Sequence, residues 1–256
     1  MERAIRILYT ITILAALFGS LSSCSGNEPL YHFSFGGTVF RFYDVSTTSL
    51  TVKTVLNEIN HGEYGLDSIQ FQRGDIVLDV GANVGIVSII LGKLNPGITI
   101  YAFEPVPLTY KTFLKNLKLN GVTNVVAVNR ALSGDGAPLT INADYEVNPG
   151  GSSSFVGNAP GAKPLQPVTV QSMTLDDVFR HYGIASCKLL KIDCEGCEYD
   201  VLYSTGMLGR ISGIAGEFHD YPALAAKGKT SAALQKFISR KNPGITMNVV
   251  TYTHGR

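Results

Sequence analysis

Asp75-Ile76-Val77-Leu78-Asp79-Val80-Gly81-Ala82-Asn83-Val84-Gly85 is an apolar strand that closes on an acid and runs straight into a glycine turn. A helical pattern, Ile86 to Leu94, follows without a break. Glycine has no Cβ and reaches positive φ at little cost, so such a turn lets a ligand lie against bare backbone. The helix that starts there offers unpaired N–H groups. A nucleotide-like small molecule is expected at this turn.

The spacing narrows the ligand. Dinucleotide sites read G-x-G-x-x-G, the second glycine leaving room for a pyrophosphate. Here Asn83 stands where that glycine would be, and an acid lies two residues before Gly81. That suits an amine-bearing or cationic ligand better than a pyrophosphate. A second strand, Thr99-Ile100-Tyr101-Ala102-Phe103, ends in Glu104. An acid about twenty residues beyond the turn can take both hydroxyls of a ribose. An adenosine with a charged, non-phosphate tail fits these features, and S-adenosylmethionine is such a molecule.

Working outward, the chain of 256 residues carries a net charge of +1 and no basic cluster, so a nucleic-acid surface is not expected. Strands and helices alternate from Gly74 onward. Strands are expected at Ile76–Val80, Ile98–Phe103, Val125–Val128, Leu189–Asp193, Ile214–Phe218 and within Ile245–Tyr252. Helices are expected at Leu108–Asn120, after Thr174, from Tyr199 to Leu208, and from about Ala223 to Ser239. This is an α/β, doubly wound, mostly parallel sheet with ligands at the carboxyl ends of its strands. In front of it, residues 31–73 read as a small cap. They hold a hairpin around Gly36-Gly37 and a helix from Thr51 to Ile59. Residues 133–167 are rich in glycine, proline and serine and form an excursion with a hairpin near Leu139–Ile141 and a loop at Gly150–Ser154.

The N-terminus has another character. Arg3 and Arg6 precede an apolar run, Ile7 to Leu21, that ends in Leu21-Ser22-Ser23-Cys24. Residues 1–24 are expected to be a signal-like or membrane-anchor segment, with 25–30 as linker and 74–256 as the main domain. Membrane-associated or signal-directed localisation follows, with a cytoplasmic protein as the alternative. Of the cysteines, Cys194 and Cys197 are expected reduced in or near a core. Cys194-Glu195-Gly196-Cys197 has no second pair to complete a zinc site.

A second constellation lies further on. Lys188-Leu189-Leu190-Lys191-Ile192-Asp193-Cys194-Glu195-Gly196 brings Asp193 and Glu195 to one strand end, and Glu217-Phe218-His219 closes the next. The period of two puts Lys191 with Asp193, and Glu217 with His219. Lys191 is expected to pair with Asp193 or Glu217 to satisfy buried charge.

With these segments the resemblance becomes specific. The Leu78–Gly85 turn, Phe103-Glu104-Pro105, Asn129-Arg130-Ala131-Leu132-Ser133, Leu190–Glu198 and Glu217-Phe218-His219 resemble the FkbM-type family of S-adenosylmethionine-dependent methyltransferases. The resemblance covers about residues 74 to 220. It implies the class I (Rossmann-like) methyltransferase fold and methyl transfer to a hydroxyl of a sugar, polyketide or other small metabolite. It also implies a sheet closed by an antiparallel two-stranded hairpin, whereas only one clear strand follows Gly244. On this reading Asp79 and the backbone of Gly81, Ala82, Asn83 and Gly85 hold the methionine part of the donor. Glu104 takes the ribose, Ala131 lies beside the adenine, and Asp193 sits near the sulfonium or amino group. His219 or Glu217 is the general base, with Asp193 the third catalytic candidate. Oxygen ligands at Asp193, Glu195 and Glu217 would suit magnesium, but nothing in the sequence requires a metal and none is expected. A NAD-dependent oxidoreductase and a non-catalytic, membrane-tethered binding protein are the rival readings.

Overall fold

The computed structural model describes residues 29–143 and 165–253. Its centre is a six-stranded sheet in which every pairing is parallel. The chain enters with a hairpin, β1 (Leu30–Phe35) and β2 (Thr38–Tyr43), and helix α1 (Thr51–Asn60). It continues through β3 (Ile76–Val80), α2 (Ile86–Leu94), β4 (Thr99–Phe103), α3 (Pro107–Asn120) and β5 (Val125–Val128). Four peripheral strands follow: β6 (Ala131–Leu132), β7 (Leu139–Ala143), β8 (Gln166–Val170) and β9 (Ser172–Met173). Then come α4 (Leu175–His181), β10 (Leu189–Ile192), α5 (Glu198–Ser204), β11 (Gly213–Asp220), α6 (Pro222–Ala225), α7 (Ser231–Lys241) and β12 (Thr246–Thr253). The sheet order is β12-β11-β10-β3-β4-β5. From β3 the chain winds one way to β5, then returns to β10 on the other side of β3 and winds away to β12. Between β3 and β10 lies the point where the winding reverses, and clefts form there.

Each face of the sheet buries its own core, as alternation in the strands requires. Leu78, Val80, Leu190, Ile192 and Phe218 join the cluster that also contains Val178 of α4, Leu202 of α5 and Ile238 of α7. Val77, Ile100, Leu189 and Ala215 join the cluster of α2, α3, α1 and the hairpin. On this second face the apolar residues lie toward the strand starts. Asp79, Lys191 and Glu217 follow them toward the carboxyl ends, all buried. The cap is fastened there by Asn116 and Asn120 of α3. Their side chains bond the backbone of Tyr43 at 2.7 and 3.0 Å and of Arg41 at 3.0 and 2.7 Å.

The expected element order holds, with three differences. The helix expected from Tyr199 to Leu208 spans Glu198–Ser204 and gives way to a short 3-10 turn at Leu208–Arg210. The helix expected from Ala223 to Ser239 is two helices, separated where Gly228 takes φ 72°, a left-handed conformation that interrupts α-helical bonding. The last strand, β12, runs parallel to β11 over eight residue pairs, from Gly213↔Thr246 to Asp220↔Thr253. Helix α7 makes the crossover. Among the described residues β12 ends the sheet at this edge, in place of an antiparallel hairpin.

No helix among the described residues is long and apolar enough to cross a membrane. The segment expected to be signal-like or anchoring, residues 1–24, and the Gly150–Ser154 loop lie outside the described residues.

Candidate active site

The glycine turn takes its shape from two neighbours. Gly81 has φ 77°, and a Cβ there would overlap the backbone carbonyl of Asp193. The N–H groups of Gly81 and Ala82 donate to the Phe103 carbonyl at 3.1 and 2.9 Å. Asn83 sits at φ 55° with its N–H donating to Glu104 Oε2 at 3.0 Å. The other Glu104 oxygen accepts from the Val106 N–H at 2.8 Å. Glu104 therefore straps the turn to the segment after β4. Burial pushes its carboxyl up to about 7, against the pull of those two hydrogen bonds.

The cleft runs over this turn, past Glu104 and Val106, to Ala131 and β7, and is closed on the other side by the loop after β10 and by Tyr64 of the cap. Of the residues expected to bind a donor, Gly81, Ala82, Asn83, Glu104, Ala131 and Asp193 line it. Asp79 and Gly85 are not lining residues. The Asp79 carboxylate lies beneath the turn, where it accepts from Ser88 Oγ at 2.6 Å and stands 3.5 Å from Lys191 Nζ. Gly85 caps α2 at φ 86°, its Cα turned toward the Phe113 ring. Both residues hold the turn from behind.

Lys191 is the register partner of Asp79 across β3 and β10. Its ammonium donates to the Gly81 carbonyl at 2.8 Å and stands 3.5 Å from both Asp79 and Asp193. Burial alone would lower its pKa. The carboxylates of Asp193 and Asp79 outweigh burial and hold it above the ordinary lysine value. The expected pairing with Asp193 is present, and Asp79 is an added partner.

The loop after β10 corrects the expectation of reduced cysteines, for Cys194 and Cys197 are joined in a disulfide. Glu195 and Gly196 take φ 57° and 106°, which folds the loop back until the two Cα atoms are 5.5 Å apart, within bridging reach. Cys187 is a buried free thiol, and burial pushes it up to about 12.

Behind Asp193 and Glu195, which line the cleft, lie Glu217 and His219, which do not. His219 Nδ1 is 3.1 Å from Glu198 Oε1, and Nε2 is 3.5 Å from Glu217 Oε2 and 3.6 Å from Glu195 Oε2. Burial would lower the imidazole pKa, but hydrogen bonds to Glu198 and Glu217 push it up to about 11. Burial pushes Glu195 up to about 7, and the Tyr221 hydroxyl donates to it at 2.7 Å. Glu217 is raised too, through burial first and the nearby Asp193 charge.

Three members of this cluster were not among the site residues expected from the sequence. Tyr64, in the loop after α1, puts its hydroxyl 2.9 Å from Glu58 Oε2 and 3.2 Å from Asp193 Oδ2, one proton between two carboxyl groups. Glu58 is itself raised to about 7, by burial and then by Glu217. Glu198, at the start of α5, is fully buried and orients His219. Only the helical spacing of α1 could have hinted that Glu58 lies beside partly buried Val55 and buried Ile59.

Residues 79–226 match the methyltransferase FkbM domain family. Methyltransferase 1 of Beauveria bassiana (strain ARSEF 2860) is 32% identical over 151 residues, which are 53% of this chain and 60% of that protein. The 31-O-demethyl-FK506 methyltransferase FkbM of Streptomyces tacrolimicus is 28% identical over 185 residues, 59% of this chain and 68% of that one. The chain thus spans about 60% of the length of the first of these relatives. Among solved structures, precorrin-6y C5,15-methyltransferase of Geobacter metallireducens GS-15 aligns over 77% of both chains at 17% identity and a TM-score of 0.42, too loose a likeness to add to the argument. The family match takes in more than half of the chain, including the glycine turn and the acid loop that face each other across the cleft, and so the chain belongs to the FkbM methyltransferase family.

Proposed function

We propose that this chain is an S-adenosylmethionine-dependent methyltransferase whose acceptor is a hydroxyl of a small molecule of the sugar or polyketide kind. The observation that carries the reading is the Glu104 carboxylate. Each of its oxygens accepts one backbone N–H, at 3.0 and 2.8 Å, which leaves each a further lone pair, and the residue lines the cleft, where a ribose hydroxyl could take them. The apolar wall at Val106 and Ala131 suits an adenine, and the Asp193 carboxylate suits the positive end of the donor. When bound, the donor supplies a methyl group on a positively charged sulfur, which leaves with the C–S electron pair as the acceptor oxygen takes the methyl.

The chain's own work is then positioning and one proton transfer. Lys191 and Asp79 fix the turn, and Tyr64 of the cap fixes Asp193. The acceptor's hydroxyl proton needs a base within reach of the cleft. We assign Glu195, which lines the cleft and carries a carboxyl near 7, the range in which a base works well at neutral pH. His219 is protonated through that range and lies behind the lining residues, so we give it a positioning part. The oxidoreductase reading is disfavoured by Asn83, whose side chain accepts from the Val84 N–H where a pyrophosphate would need open backbone.

Donor binding tests the proposal directly. S-adenosylmethionine and its demethylated product should raise the Tm of the protein and NAD should not. A shift with NAD alone would overturn the reading. Mass spectrometry of reactions with isotopically labelled donor and candidate hydroxyl compounds would then identify the acceptor. Label recovered on nitrogen or carbon would overturn O-methylation while leaving methyl transfer standing.

A further inference from the structure

We infer that Asp193, Glu217 and His219 form a binding site for one divalent transition-metal ion at the floor of the cleft. One ligand atom from each of the three lies within 4.8 Å of the other two. Ligand atoms about 2.1 Å from a common ion stand about 3–4 Å apart, so small rotamer changes close the set. Three further observations point the same way.

The first is the orientation of His219. Its Nδ1 faces Glu198 Oε1 at 3.1 Å, and its Nε2, which carries a proton while no ion is bound, faces Glu217 and Glu195 at 3.5 and 3.6 Å; the ion would take the place of that proton, which leaves to water. A metal-binding histidine almost always gives its second ring nitrogen to a carboxylate in this manner, which fixes the tautomer and raises the basicity of the nitrogen left for the ion. Glu198 is fully buried and also accepts the Cys194 N–H at 2.9 Å, so it is itself held in place. The second is Glu217. Its residue is 7% exposed, and among the described residues its Oε1 is buried without a hydrogen-bond partner. A buried carboxylate oxygen left so is costly, and a cation is one of the few groups that offsets it. The third is charge. Glu58, Asp79, Asp193, Glu195, Glu198 and Glu217 meet around two cations, Lys191 and His219. Lys191 is taken up by Asp79, Asp193 and the Gly81 carbonyl. The other carboxyl groups gather on the Glu217 side around His219, where the three ligand atoms converge.

One imidazole and two carboxylates suit Mn²⁺ or Zn²⁺ better than calcium or magnesium, which prefer all-oxygen sets. Glu217 and His219 lie behind the cleft and Asp193 lines it, so the ion's open positions face the cleft. There it would take a lone pair of the acceptor hydroxyl and lower its pKa. The O–H proton passes to Glu195, and no electron changes hands. This chemical role rests on the methyl-transfer reading; the binding of the ion does not.

The test uses the full chain, stripped with a chelator and titrated with Mn²⁺ while electron paramagnetic resonance follows the free ion. One ion per chain should bind, and Zn²⁺ should displace it. Glu217→Gln and His219→Ala should each weaken binding by at least about 100-fold, and Glu198→Gln by about 10- to 100-fold. Asp135→Asn, at an exposed acid elsewhere, should change nothing. Glu198→Gln keeps all three ligands, so it carries the test if a ligand variant fails to fold by circular dichroism. Absence of stoichiometric binding of either ion, or binding unchanged in Glu217→Gln, His219→Ala and Glu198→Gln, would overturn the site. If the donor still raises the Tm of the stripped chain, that failure belongs to the metal alone. If the ion binds and the donor does not, the methyl-transfer reading falls and the site stands.

Discussion

The two turns that form the walls of the cleft begin alike and end differently. Each follows a central parallel strand, β3 or β10, and each holds a non-glycine residue at positive φ, Asn83 at 55° and Glu195 at 57°. They touch, with Gly81 against the Asp193 carbonyl. The first turn is built from backbone. Two of its N–H groups bond one carbonyl, a third bonds Glu104, and apolar residues support it from behind. The second is built from charge: a disulfide folds it, and carboxyl groups from four separate segments crowd around it. A wall shaped by backbone presents the same face to any ligand of the right outline. A wall shaped by charge responds to pH, cations and chemistry. Binding of a donor and turnover of an acceptor are therefore expected to fail separately when one wall is damaged.

Gly81→Ala should break the comparison outright. The added Cβ meets the backbone of the opposite wall at a left-handed φ, so the loss of stability should reach at least about 3 kcal/mol, read by denaturant unfolding, with both activities lost. Glu195→Gln should separate the walls. Turnover should fall by about 10²–10⁴ while donor affinity, measured calorimetrically, stays within threefold; a parallel loss of donor affinity would mean the walls act as one. Glu104→Ala should do the reverse, weakening the donor by about 1–3 kcal/mol, the scale of lost hydrogen bonds to a charged group. Unchanged affinity there would put the ribose elsewhere. Reduction of the Cys194–Cys197 bridge, or its double replacement by serine, should cost at most about 2 kcal/mol, because the loop it closes is so short. Its effect should appear in turnover rather than in donor binding.

The smallest effect is that of pH on stability. Glu58, Glu104 and Glu195 are raised from an ordinary value of 4.5 to about 7, so between those limits the folded state binds more protons than the unfolded chain. Their contribution is fully present below about 4.5 and is lost as pH rises through 7. His219, raised from 6.5 to about 11, has the same sign over a higher window. The Tm should fall by a few degrees from pH 5 to pH 8. A rise over that interval would mean the charged wall is already neutralised, as a bound cation would do.

The backbone wall was legible in the sequence because glycine at fixed offsets has few other uses, and strands β3 and β5 and helix α2 were read to the residue. The charged wall was legible only in part. Asp193, Glu217 and His219 lie at strand ends that alternation predicts. Glu58, Tyr64 and Glu198 do not, for they arrive from the cap and from a helix start by tertiary folding, and nothing local ties Tyr64 to an acid 129 positions away. The disulfide was missed because a spacing of three positions leaves open whether the loop folds back. The parallel course of β12 was missed because direction is set by the α7 crossover and not by the strand's own residues.

The pairing of β3 with β10 has a kinetic consequence. The Lys191–Gly81 bond joins residues 110 positions apart, and β4, β5 and the strands beyond lie between them. Such contacts form only after the intervening loops have been closed, at an entropic cost that local pairings do not bear. During synthesis, β3, α2, β4, α3 and β5 can pack as each emerges, but the last of the β10 pairing residues is Ile192. Until it has left the ribosome the glycine turn faces water on one side, without its lysine and without the carbonyl that presses on Gly81. The cleft is thus among the last parts of the molecule to come into being, and a chain arrested halfway carries half the fold and only one wall of the cleft.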